Sequence, residues 1–187
     1  MKALGAMAVA ALLNAPSIGL TQHQHLGGHA ASSAAVSGNT TPQPYASMQQ
    51  RRIKALPEST VADLANGRGA SFALPAELNG YPGPAHVLEL AEPLKLTPDQ
   101  TGKTRALFAA MQSEATSLGL QLLAAEERLD RLFSGRTASA STVDTATLEA
   151  AGLQGKLRSA HLRYHLEMMS LLAPAQVAEY SKLRGYK

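Results

Sequence analysis

Five residues near the middle of the chain, Leu96-Thr97-Pro98-Asp99-Gln100, mark the start of a helix. The Thr97 hydroxyl can accept a backbone N–H, and Gln100 stands three residues on, where its side chain can reach back to the Thr97 backbone. This pattern is a capping box. Pro98 takes the first helical position, where its missing donor costs nothing, and Asp99 meets the positive end of the helix. Beyond this start, Leu107, Met111, Ala115, Leu118, Leu122, Ala125, Leu129 and Leu132 recur at spacings of three and four. They form one apolar seam on a helix predicted to reach Phe133. Ser134-Gly135 stops it, and residues 135–141 read as a polar loop.

A second long helix is predicted from Thr142 or Asp144 to about Leu172, with Leu153, Leu157, Ala160, Tyr164, Met168 and Leu171 as its seam. Gly152 and Gly155 weaken it but permit close helix approach. Leu171-Leu172-Ala173-Pro174-Ala175-Gln176 then repeats the first junction and opens a last helix over 174–184, closed by Gly185. Upstream, shorter helices are expected over 57–65, 74–78 and 84–93. They are punctuated by Asn66-Gly67, Asn79-Gly80 and the rigid turn Tyr81-Pro82-Gly83-Pro84. No stretch alternates with period two, so the expected fold is all-α, with four to five helices carrying the main architecture.

Aromatics are only 4% of the chain, and Ala and Leu supply most of its apolar mass, so each helix can bury only a thin seam. Dimerisation is a reasonable way to hide the rest. The net charge of +3 comes from scattered basic residues, with Arg51-Arg52 the only adjacent pair. That is not the footprint of a nucleic-acid partner. The absence of Cys removes disulfides, thiolate ligands and thiol nucleophiles.

Lys2 followed by the apolar stretch 3–13 reads as a secretory signal, being too short to cross ~30 Å of hydrocarbon. The expected organisation is a signal peptide over 1–20, a disordered linker over 21–50, short helices and turns over 51–83, and a helical domain over 84–187. The linker carries His23, His25 and His29, a tract that can hold Cu or Zn loosely.

His161 and His165 are four apart on the predicted second long helix and share one face. Met168 and Met169 follow one turn later. Imidazole with thioether suits Cu, Ni, Co or Zn better than Mg or Ca. His86 and Glu89 lie one turn apart on the helix predicted over 84–93. Met48, Met111, Met168 and Met169 could form a soft-metal or adaptable client surface, but Met111 and Met168 fall on the seams and read as core. Glu114, Glu126 and Glu127 sit on the polar side of an amphipathic helix and read as a solvated face, not as an acid–base pair. No Ser lies in a nucleophile elbow and no Gly-rich phosphate loop occurs. A non-enzymatic protein without an organic cofactor is the expectation.

The two junctions, at Leu96, Thr97 and Gln100 and again at Leu172 and Gln176, resemble the LTxxQ-motif periplasmic family. That family includes Spy/CpxP-like chaperones and CnrX-like heavy-metal resistance and sensor proteins. The second junction departs from the motif, since Ala173 stands where the motif has Thr. The resemblance covers roughly residues 84–186. It implies a hooked antiparallel helical hairpin, dimeric and periplasmic. In such a hairpin His86, Glu89, His161 and His165 would converge on a transition metal, with Met168 and Met169 as further donors. This implies a stress or heavy-metal-resistance protein. The alternative is an ATP-independent chaperone that binds unfolded clients, or a membrane sensor protein, without metal.

Overall fold

The computed structural model describes residues 43–186. The expected signal peptide and His23, His25 and His29 lie outside the described residues. Every regular element among the described residues is helical. A 3-10 turn at Ala46–Met48 precedes α1 (Glu58–Ala65), α2 (Leu74–Glu77), α3 (Pro84–Glu89), α4 (Pro98–Ser134), α5 (Ala140–Leu171) and α6 (Pro174–Leu183). None is long and apolar enough to cross a membrane.

The start of α4 forms as its residues require. The Gln100 amide N–H donates to the Thr97 hydroxyl at 3.1 Å, and the Thr97 N–H donates to the Gln100 side chain at 3.1 Å. The start of α5 differs from the expectation of residue 142 or 144. Ser139 is its N-cap, with Thr142 as the reciprocal partner at the third helical position. Thr in place of the usual Glu or Gln hid this box among polar loop residues. The helix expected over 84–93 also ends early, at Glu89, because residues 90–95 turn and Lys95 takes a left-handed φ of 51°.

At the second corner Ala173 carries no hydroxyl, so only half the box forms, with the Ala173 N–H donating to Gln176 Oε1 at 2.9 Å. The two corner glutamines then bond each other. Gln100 Nε2 donates to Gln176 Oε1 at 2.8 Å, and Gln176 Nε2 to Gln100 Oε1 at 3.0 Å. Each also donates to a carbonyl across the fold, Gln100 to Leu171 and Gln176 to Leu94. These amides therefore join the openings of α4 and α6.

Helices α4 and α5 pair along their length through Arg128 with Glu149, Glu114 with Arg163 and Tyr164, and Gln100 with Leu171. Two apolar clusters form on them. One gathers Leu64, Phe72, Ala115, Leu122 and Leu157, the other Val87, Leu94, Met168, Leu172 and Tyr180. The end of α1 lies directly on α4 at Gly119, where an added Cβ would fall 2.1 Å from the Leu64 carbonyl oxygen. Only glycine permits that approach.

Candidate functional site

The break between the two clusters falls at the same level on both long helices. Along α5 the buried residues pass from Leu157, in the first cluster, through His161 and His165 to Met168, in the second. Along α4, Ala115 belongs to the first cluster and Leu107 packs against the second, while Met111 between them is buried yet belongs to neither. A cavity of about 240 Å³ opens at this level. Its wall includes His86, His161, His165, Met111, Glu77 and Leu74.

His161 and His165 are 2% and 5% exposed, which makes them inner residues of the helix face and not flanks of its seam. Their ring orientation is set by backbone carbonyls. His161 Nδ1 donates to the Leu157 carbonyl at 3.0 Å, and His165 Nδ1 to the Tyr81 carbonyl at 2.7 Å. His86 on α3 follows the same pattern, with Nδ1 3.1 Å from Glu77 Oε1. A carbonyl or carboxylate oxygen only accepts, so Nδ1 carries a proton, and in the neutral form of each ring Nε2 holds the lone pair. His161 Nε2 is buried and has no hydrogen-bond partner. Burial lowers the His165 pKa below the ordinary histidine value. The Tyr81 bond and the Glu77 charge oppose that shift, while neighbouring His161 and His86 add to it.

Gly83 lets the backbone approach the His165 ring, whereas Gly69 leaves ordinary contact room beside His161. A Cβ on Gly83 would lie 2.9 Å from His165 Cε1 and 3.1 Å from its Nε2, and one on Gly69 would lie 3.8 Å from His161 Nε2. Phe72 meets the His161 ring at a tilt, with centroids 6.4 Å apart.

The carboxylate of the cavity wall belongs to Glu77. Glu89, the carboxylate expected from its spacing with His86, is exposed and lies outside the cavity lining. Glu77 is buried at the end of α2, and its Oε1 accepts from the Tyr180 hydroxyl, from Tyr186 at 3.1 Å and from His86. Arg184 Nε stands 3.5 Å from the same oxygen. Burial and the Glu77 charge both push the Tyr180 pKa up, so its hydroxyl remains a donor. Glu77 Oε2 is buried without a hydrogen-bond partner, and His165 Nδ1 is 3.9 Å away.

The structure thus brings His86, His161 and His165 to one cavity. Met168 packs in the second apolar cluster, and Met169 is half-buried outside the cavity lining. Among the described residues no group of three or more His, Cys, Asp and Glu side chains is placed to hold a metal ion. Glu77, Tyr180 and Tyr186 escaped the sequence reading because their contacts span more than a hundred residues. Met111 read as core because its seam position is what any packing methionine would show.

Compared with protein-family models, curated proteins and solved structures, the chain matches none.

Proposed function

We propose that this chain is an exported, non-enzymatic protein of the heavy-metal stress response, which takes a transition-metal ion into the cavity lined by His86, His161 and His165. In this reading α4 and α5 form a hooked antiparallel hairpin that pairs as a homodimer in the periplasm. One observation carries the metal assignment. All three residues line one cavity and each ring binds an oxygen through Nδ1, and the Nε2 of His161 is buried and unpartnered. Metal-binding histidines are oriented by this kind of outer hydrogen bond. The cavity suits Cu, Ni, Co or Zn by its donor chemistry.

Calorimetric titration tests the reading, in a full-length background with His23, His25 and His29 changed to alanine to silence the tail. One ion per chain is expected, and His161→Ala should abolish the heat. Equal heats in both proteins, or none in either, overturn the site.

A second reading is an ATP-independent chaperone that holds unfolded clients or a membrane sensor protein without metal. It is favoured by Leu120, Phe133, Leu148 and Leu166, large apolar side chains that are more than half exposed on α4 and α5. Suppression of client aggregation by the metal-free protein, undiminished in His161→Ala, would select it.

A further inference from the structure

We propose that the cavity takes a soft monovalent d10 cation, Cu⁺ or its analogue Ag⁺, with the Met111 thioether as a donor beside the His161 and His165 Nε2 atoms. This inference rests on the metal reading above and adds the class of ion and the residue that selects it.

Three observations carry it. The first is the donor set. His161 Nε2 is buried without a hydrogen-bond partner, and His165 and Met111 line the same cavity. Met111 contributes the one sulfur in the cavity wall, and the chain has no cysteine to compete with it. Thioether sulfur is a soft ligand that selects Cu(I)-type ions over harder divalent ones.

The second is the packing of Met111. It is 8% exposed yet joins neither apolar cluster, while its neighbours along α4 belong to one or the other. Its wall position places it at the level of His161 and His165, where a leucine would serve a purely packing role equally well.

The third is charge. Glu77 supplies the one carboxylate in the wall, and its charge is already offset by Arg184 and by the Tyr180, Tyr186 and His86 donors. Glu77 Oε2 stays unpartnered, but this single, partly offset carboxylate still leaves the cavity far costlier for a divalent ion than for a monovalent one. An imidazole that ligates through a neutral nitrogen adds no charge to that balance.

The test uses full-length protein with the three tail histidines changed to alanine, titrated with Ag⁺ and separately with Zn²⁺. Met111→Leu conserves volume and should fold normally. The expected result is one Ag⁺ per chain, weakened at least about tenfold in Met111→Leu, with the weaker Zn²⁺ binding unchanged. In ¹³C-methyl methionine spectra, the resonance missing from Met111→Leu should be the one that moves when Ag⁺ is added to the parent. Ag⁺ affinity within about twofold of the parent in Met111→Leu, or movement of other methionine methyls instead, overturns the proposal. Tight Zn²⁺ binding with weak Ag⁺ binding also overturns it while leaving the metal reading intact. Binding of neither ion removes both.

Discussion

Replacing Glu77 with alanine would remove the acceptor on which Tyr180, Tyr186, His86 and Arg184 converge. The cost can be worked from burial. Tyr180 is wholly buried, so its hydroxyl would lose its charged acceptor. An unsatisfied buried group costs about 1–3 kcal/mol, and bonds to a charged acceptor contribute about 1.5–3 kcal/mol each. His86 and Arg184 are 37% and 30% exposed and would regain hydration, so their share is small. Relief of the carboxylate's own burial works in the opposite direction. The net loss is about 3 kcal/mol, close to the lower end for breaking a buried charged network. For a chain of this length that corresponds to a melting-point drop of about 6–12 °C. Thermal unfolding followed by circular dichroism, on metal-free protein, measures it. Glu89→Ala provides the control, since an exposed substitution should stay within about 0.5 kcal/mol. Tyr180→Phe keeps the ring and removes one of these bonds, and should lose about 1.5–3 kcal/mol. If Glu77→Ala melts within about 2 °C of the parent, the carboxylate is not what fastens the C-terminal residues to α2, and the reasoning fails.

Gly119→Ala forces a Cβ to within 2.1 Å of the Leu64 carbonyl, so α1 must move off α4. A loss of about 1–3 kcal/mol in urea unfolding is expected, and an unchanged midpoint would show that this contact is absent. Gln100→Ala removes one side of the amide pair, and a double-mutant cycle with Gln176→Ala should give a coupling of about 0.5–3 kcal/mol. Strict additivity would mean the two corners do not touch. Burial holds the folded His165 pKa below its unfolded value. Its contribution to stability is therefore complete above about pH 6.5 and is lost as pH falls through that value towards the folded pKa. Metal-free protein should weaken relative to His165→Gln as pH falls from 7.5 to 5.5, and parallel stability curves would refute this.

What could be read from the sequence was whatever short-range physics determines. Thr97 and Gln100 are three residues apart, so their box, and with it the start of α4, was legible, as was the stop at Ser134-Gly135. The i,i+4 spacing of His161 and His165 put both rings on one face before any fold was known. The start of α5 was missed because Ser139 and Thr142 are both common in loops and only their reciprocal bonds distinguish a cap. Glu89 drew the assignment because it lies one helical turn from His86. Glu77 reaches His86 across the turn containing Gly80 and Gly83, and the other groups that hold it come from the far end of the chain. Met111 carried a periodic signal that is the same for packing and for liganding.

The reciprocal amides of Gln100 and Gln176 also have a consequence for the order of assembly. The helix opened at Thr97 can wind as soon as it is made, but its corner stays half-fastened until a residue 76 positions later arrives. A chain truncated ahead of Gln176 would keep the long rod and lose the latch. Shortened products should therefore betray themselves first by rapid amide exchange around Thr97, far from the point of truncation.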